Sequence, residues 1–107
     1  MYIYKIYFST DTNYNNNLDL ISELETLFLN NSINLNGFTI IKTKGYWKGE
    51  IETAYIFEYI EKFEFDSTIK LISKLIKGYY KQKEVLTTKQ KINILWWITK
   101  NLNKVRI

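Results

Sequence analysis

The sequence predicts an α+β fold, because segments with strand and helix patterns follow one another in a fixed order. Strand-forming residues dominate four segments, whereas two others repeat apolar residues every three or four positions. The order is strand, helix, strand, strand, helix, strand, followed by a tail. It is typical of the ferredoxin-like split β-α-β sandwich, in which both helices cover one face of an antiparallel sheet. At this length we expect a single domain over residues 1–107.

The first three predicted elements are a strand, a helix and a second strand. Alternating residues over Tyr2–Phe8 predict the first strand. Apolar residues recur on one stripe of Leu18–Leu29, which predicts an amphipathic helix. Asn17 is its predicted N-cap, because an asparagine side chain can accept a hydrogen bond from a free amide of the first turn. The second strand is predicted over Phe38–Lys44.

A hairpin with a five-residue loop is predicted between the second and third strands. Glycines at both ends of Gly45–Gly49 allow the positive φ angles that tight loops require. The third strand, Glu50–Ile60, alternates, so that one of its faces is acidic and the other is aromatic. We expect Tyr55 and Phe57 to pack against the helices, whereas the environment of Tyr59 stays open.

The remaining elements are a second helix, a fourth strand and a tail. Apolar residues at helical spacing follow Asp66 and predict a helix that ends near Gly78 or continues to Gln82. Glu84–Lys89 predicts the fourth strand, and residues 92–98 fit either an edge strand or a short helix. We expect one core to contain Leu24, Phe28, Ile40, Phe57, Ile72 and Ile76.

The residue types limit the chemistry of the chain. Cysteine and histidine are absent, which excludes disulfides, thiol nucleophiles and the commonest general base and metal ligand. Glu50, Glu52 and Glu58 share one face of the third strand, where carboxylates could hold a divalent cation or act as acid and base. We favour solvated carboxylates and expect no catalytic residue, metal or cofactor. A small enzyme that uses Glu50, Glu52 and Tyr46 remains an alternative.

The sequence contains no segment that looks like a targeting or membrane-spanning one. The N-terminal apolar stretch carries Lys5 and lacks a small-residue cleavage site, and the longest apolar run, Ile94–Ile98, is too short to cross a bilayer. We therefore expect a soluble cytoplasmic protein. Lysine, asparagine, isoleucine and tyrosine are abundant, as A/T-rich codons favour, which indicates an A/T-rich bacterium or a phage or plasmid in such a host.

The hairpin carries a G-x-W-x-G motif that leads into a strand with an early glutamate, and a later strand carries a V-L pair. The residues are Gly45, Trp47, Gly49, Glu50 or Glu52, and Val85-Leu86. In these features the chain resembles a family of short, uncharacterised bacterial proteins. The resemblance covers the middle part of the chain. It implies a ferredoxin-like fold and implies no activity.

Charge is distributed unevenly along the chain. Residues 1–69 carry five lysines and ten acidic residues, a net charge of −5, whereas residues 70–107 carry nine lysines, one arginine and one acidic residue, a net charge of +9. This basic half either meets an acidic partner or phosphates, or is a solvated surface. Four lysines of the second helix fall on one stripe opposite its apolar face: Lys70, Lys74, Lys77 and Lys81.

Aromatic residues at two further places are candidate binding residues. In the hairpin, Trp47 between Tyr46 and Lys48 could stack on a planar group or fold back over the sheet. In the tail, Trp96 and Trp97 point in different directions on either a strand or a helix, so that one could be exposed. These five residues and the four lysines form the predicted binding set.

Together these observations favour a non-enzymatic, macromolecule-binding module. The leading hypothesis is a protein-binding accessory or inhibitor protein of phage or mobile-element type, which acts on a host factor such as a defence nuclease. The alternative is a nucleic-acid-binding protein that uses the basic C-terminal half and the aromatic residues of the sheet. An open sheet face with tyrosine and isoleucine would expose an apolar patch, which favours a homodimer.

Overall fold

The described part of the chain folds into a four-stranded antiparallel sheet and two helices. In the computed structural model the described residues are 1–12 and 14–92, and Trp47 is described for its backbone alone. The elements are β1 (Tyr2–Phe8), α1 (Asn17–Asn30), β2 (Thr39–Trp47), β3 (Glu50–Glu61), α2 (Asp66–Tyr79) and β4 (Leu86–Lys91). The strands lie in the order β2-β3-β1-β4, which confirms the predicted ferredoxin-like fold.

One hydrophobic core lies between the two helices and the inner face of the sheet. Tyr59, whose environment the sequence left open, is also buried there, opposite Tyr4 of β1. Truncating one buried aliphatic residue of such a core to alanine typically costs about 2–5 kcal/mol. All six residues predicted for the core belong to it, and none is more than 6% exposed: Leu24, Phe28, Ile40, Phe57, Ile72 and Ile76.

The opposite, outer face of the sheet is not covered by either helix. Strand pairing aligns one apolar residue from each strand across this face, and we call this set the outer apolar row. A polar row lies beside it, in which Lys5 is paired with Glu58 of β3. The outer apolar row consists of Ile41, Ile56, Tyr7 and Leu86, in the order of the strands in the sheet.

The ends of α1 are fixed by local hydrogen bonds. The side chain of Asn16 accepts a hydrogen bond from the amide of Asp19 at 3.2 Å, so Asn16 is the N-cap and the prediction of Asn17 is wrong by one residue. At the other end Ser32 adopts a positive φ of 59°, and the amide of Ile33 donates back to the last turn of the helix. This is the Schellman motif, which satisfies carbonyls that a helix end leaves free.

The hairpin loop is shorter than predicted. β2 continues to Trp47 and β3 begins at Glu50, so that Lys48 and Gly49 alone form the turn. Their φ angles are 49° and 85°, which is the type I′ geometry that matches the twist of paired strands. The prediction of a five-residue loop is therefore wrong, because strand pairing continues through Gly45 up to the turn.

Of the last two described elements, α2 agrees with the prediction and β4 differs from it at its start. α2 ends at Tyr79, in agreement with the shorter of the two alternatives. β4 begins at Leu86 instead of Glu84, because its pairing with β1 starts opposite Tyr7. Residues 93–98, predicted as strand or helix, lie outside the described residues. Within the described part of the chain, no helix combines the length and apolar character that crossing a bilayer requires.

Candidate ligand-binding cleft

A cleft opens where β1 ends. Its volume is about 520 Å³, compared with about 330 Å³ beside α1 and about 350 Å³ between α2 and β4 for two other clefts. Small-molecule sites typically measure roughly 300–1,000 Å³. The end of β1, the β2–β3 hairpin and the segment between α2 and β4 all contribute to it. Its lining residues are Tyr7, Phe8, Ser9, Gly45, Tyr46, Glu52, Ala54, Gln82, Glu84 and Leu86.

The end of α2 holds one wall of this cleft in place. The amide of Gln82 donates to the carbonyl of Lys77 at 2.9 Å, and Lys81 between them has a φ of 53°, so the chain reverses in a second Schellman motif. Gln82 Oε1 then accepts hydrogen bonds from Ser9 Oγ at 2.8 Å and from the Ser9 amide at 3.3 Å. Gln82 Nε2 donates to the carbonyl of Tyr80 at 3.2 Å. The side-chain amide of Gln82 therefore links the wall to β1.

Two carboxylates give the cleft a negative character. Glu52 lies on β3 opposite Gly45, and Glu84 immediately precedes Val85 at the approach to β4. Both are exposed, and neither forms an ion pair with a described residue. No lysine or arginine of the described residues lines the cleft. Because neither carboxylate forms an ion pair with a described residue, the cleft favours a positively charged ligand.

Tyrosine side chains supply the aromatic part of the lining. Tyr46 is 74% exposed and lines the cleft, as Tyr7 does from β1. The face of a tyrosine ring attracts cations and stacks on planar groups. Tyr46 is thus the one residue of the predicted binding set that the described structure brings to the cleft.

Of the other aromatic and hairpin candidates, the structure describes two, one of them for its backbone alone. Lys48 is in the turn, and the backbone of Trp47 is paired with Glu50 across it. Trp96 and Trp97 lie outside the described residues.

The three glutamates of β3 do not converge. Glu50 lies beside the turn, Glu52 lines the cleft, and Glu58 Oε2 is 3.9 Å from Lys5 Nζ near the other end of the strand. Successive residues on one face of a strand are about 6.5 Å apart, so the distance from the first to the third carboxylate is too large for one ion. Within residues 1–12 and 14–92, no group of three acidic side chains could hold a metal.

The lysine stripe is exposed, but only part of it is helical. Lys70, Lys74 and Lys77 are exposed on α2, whereas Lys81 lies beyond the end of the helix in its left-handed cap. None of the four forms an ion pair with a described residue. Lys89 of β4 differs, because its Nζ lies 3.1 Å from Asp66 and 3.4 Å from Glu64.

The aromatic face of β3 is not available to a ligand. Tyr55, Phe57 and Tyr59 are at most 5% exposed and pack in the core. The part of the nucleic-acid hypothesis that rests on these rings is therefore wrong, because bases cannot reach them.

Sequence reasoning did not identify Ser9, Gln82 and Glu84, which line the candidate cleft. Ser9 and Gln82 are 73 positions apart and meet only because β1 and β4 are antiparallel neighbours. The available signal was topological. In the predicted sheet the first and fourth strands are antiparallel neighbours, so the end of the first strand lies beside the start of the fourth. Polar residues at these two places are therefore expected to lie close together.

No family model and no curated protein matches the sequence. Among solved structures, the fold is similar to a phage SAM lyase in complex with S-methyl-5′-thioadenosine, with a TM-score of 0.63, 14% identity, and coverage of 84% of this chain and 80% of that one. The same lyase in its apo state gives a TM-score of 0.59 and 15% identity over 83% of this chain and 78% of that one. A de novo designed protein, Foldit4, gives a TM-score of 0.41. At such identities the two lyase structures establish a shared fold.

Proposed function

We propose that this chain binds a small cationic nucleoside, of the S-adenosyl sulfonium type, in the cleft at the end of β1. The observation that carries the proposal is the pair of carboxylates, Glu52 and Glu84, in a cleft that no described lysine or arginine lines. A sulfonium centre keeps its positive charge at every pH, and unneutralised carboxylates attract it.

The remaining lining fits the rest of such a ligand. An adenine ring can stack on Tyr7 or Tyr46. The likeness to a phage SAM lyase with S-methyl-5′-thioadenosine bound supports this ligand class by fold alone.

Isothermal titration calorimetry with a matched pair of ligands tests the proposal. S-Adenosylmethionine and S-adenosylhomocysteine differ by the methyl group that makes the sulfur cationic. We expect Glu52→Gln and Glu84→Gln to weaken binding of the first ligand and to leave the second nearly unchanged. Glu50→Gln is the matched control, because Glu50 lies on the same strand face but does not line the cleft. Equal losses of affinity for S-adenosylmethionine in Glu52→Gln, Glu84→Gln and Glu50→Gln would contradict a role of the cleft in binding.

The proposed biological role is that of a phage or mobile-element accessory protein without catalytic activity of its own. The A/T-favoured composition and the fold shared with a phage protein support the first part. The absence of histidine and cysteine supports the second. Incubation with S-adenosylmethionine, followed by chromatography, should recover the ligand intact. Release of S-methyl-5′-thioadenosine in proportion to the protein would show instead that the cleft is an active site.

A second candidate function is the binding of an acidic protein partner, such as a host factor that the chain inhibits. The observation that favours it is the exposed lysine stripe, which has no acidic partner among the described residues. Changing Lys70, Lys74, Lys77 and Lys81 together to glutamate should preserve the fold and abolish such binding, because the reversed charge repels an acidic surface. Binding that survives the reversal would exclude the stripe.

The nucleic-acid alternative is distinguished by its salt dependence. Binding of a 20-base-pair duplex, followed by fluorescence anisotropy, would weaken steeply as salt rises if lysines displace counterions from phosphates. Affinity that does not depend on salt would exclude this alternative.

A further inference from the structure

We infer that the free edge of β2 binds an acidic, extended segment of a partner protein by strand addition. Among the described strands, β2 lies at the border of the sheet and pairs with β3 alone. A strand in this position presents backbone amides and carbonyls that a further strand can bond. The proposed surface is the edge from Lys42 to Tyr46, which adjoins the cleft at Gly45 and Tyr46. The inference goes beyond the proposed function of the cleft.

The hairpin geometry shows which backbone groups of β2 point outward. Trp47 and Glu50 close a two-residue turn and form a hydrogen-bonded pair, and bonded and non-bonded residues alternate along an antiparallel strand. The side chain of Asn17 already donates to the carbonyl of Ile40 in this outward row, at 3.3 Å. The outward amides and carbonyls of Lys42, Lys44 and Tyr46 have no hydrogen-bond partner among the described residues. The outward row consists of Ile40, Lys42, Lys44 and Tyr46.

Charge indicates what kind of strand this edge would accept. Lys42 and Lys44 are exposed and lie on one face of the edge, next to the exposed Tyr46. Neither lysine forms an ion pair with a described residue, and the nearest polar contact is the one from Lys42 Nζ to the carbonyl of Tyr14 at 3.5 Å. Opposite charges at facing positions stabilise paired strands. A strand with carboxylates at alternate positions would place them beside these lysines.

The same lysines disfavour a second copy of this chain as the occupant. An antiparallel, two-fold pairing of two β2 edges centred at residue 42, 43 or 44 places lysine opposite lysine. Like charges at facing positions destabilise a strand pair. An acidic partner strand avoids this repulsion.

A peptide of eight residues that alternates glutamate and valine, with both ends blocked, is the probe. We expect it to slow hydrogen exchange of the amides of Lys42, Lys44 and Tyr46 at least tenfold, as followed by NMR. The amides of Thr43 and Gly45, which face β3, should not change. A peptide with the same backbone and lysine in place of glutamate should bind at least tenfold more weakly.

Two changes separate strand addition from simple charge attraction. Lys44→Ala and Lys44→Pro remove the same charge, but only Lys44→Pro also removes an outward amide, and neither removes an amide that bonds to β3. Lys44→Pro should therefore weaken peptide binding at least tenfold more than Lys44→Ala, with the sheet retained. The glutamate–valine peptide, N-methylated at alternate residues, should lose binding to the unmodified chain in the same way.

Three results would overturn the inference. One is equal binding of the N-methylated and plain peptides, and another is equal binding of the glutamate and lysine peptides. The third is protection of the same three amides without peptide that grows with protein concentration, because a second copy would then occupy the edge.

Discussion

At the scale of single residues, two buried tyrosines of the inner sheet face differ in how their hydroxyl groups are satisfied. Tyr4 OH donates to Asp66 Oδ1 at 2.8 Å and accepts from the amide of Phe65 at 2.7 Å, so it caps the start of α2, where no side chain of the cap residue does so. Tyr55 OH is buried without a hydrogen-bond partner among the described residues.

The two tyrosines should therefore respond oppositely to loss of the hydroxyl. Tyr4→Phe leaves the Phe65 amide unpaired and should lower the free energy of unfolding by about 1–3 kcal/mol, whereas Tyr55→Phe should be neutral or stabilising by up to about 1 kcal/mol. Urea denaturation of both variants measures this difference. A larger loss in Tyr55→Phe than in Tyr4→Phe would contradict the assigned hydrogen bonds.

Asp66 should make stability depend on pH in the acidic range. The hydrogen bond from Tyr4, followed by that from Lys89, lowers the pKa of its carboxyl group. Since the pKa of Asp66 is lower in the folded chain than in the unfolded one, its ionised carboxylate stabilises the fold above the ordinary pKa of about 4. This stabilisation is lost as the pH falls below that value towards the pKa of the folded chain. Asp66→Asn should flatten this part of the stability profile. In Tyr4→Phe, the pKa of Asp66 should rise, as followed by NMR. An unchanged pKa would contradict the role of the hydrogen bond from Tyr4.

At the scale of elements, the helix caps use left-handed residues that are not glycine. Lys81 occupies the position at which a β-carbon is most costly, with a φ of 53°. Lys81→Gly should raise the free energy of unfolding by about 1 kcal/mol. The matched control is Lys74→Gly in the exposed middle of α2, which should lower it by about 1 kcal/mol. Thermal unfolding measures both variants. Melting temperatures that shift in the same direction would contradict the left-handed cap at Lys81.

The elements and the core were predictable because they follow from local periodicity. Leu24 and Ile72 fall on apolar helical stripes, and Phe57 falls on the aromatic side of an alternating strand. The loop at Gly45–Gly49 was not predictable from its glycines, because Lys48 takes a positive φ that sequence patterns assign to glycine or asparagine. Strand ends and caps shifted by one to three residues, since neighbouring polar residues offer similar local hydrogen bonds.

The cleft was only partly predictable, for a reason of topology. Tyr46 was identified because it stands in a conspicuous motif. Glu84 and Gln82 stand in an ordinary polar segment. They line the cleft only because β4 pairs beside β1. The contact between residues 73 positions apart is a property of the whole fold.

At the scale of the whole molecule, the outer apolar row remains uncovered by the described elements. Its members Ile41 and Leu86 are 39% and 61% exposed. The predicted homodimer would bury this row by pairing two outer faces about a two-fold axis.

Ile41 belongs to this row but does not line the cleft, so a change at Ile41 tests the dimer without altering a cleft residue. We expect sedimentation velocity at high micromolar concentration to show self-association that Ile41→Lys abolishes, because the change buries a charge on both sides of a two-fold contact. Leu18→Lys, a matched change at a residue that is 70% exposed on α1, should have no effect. A monomer at these concentrations would contradict the predicted homodimer.

The central claim is that the carboxylates of the cleft select a cationic nucleoside, and the ratio of two dissociation constants tests it most directly. The unmodified chain should bind S-adenosylmethionine at least tenfold more tightly than S-adenosylhomocysteine, a difference of about 1.4 kcal/mol. In the double variant Glu52→Gln, Glu84→Gln this ratio should fall towards one. A ratio near one in the unmodified chain, or a ratio that the double variant leaves unchanged, would contradict the account.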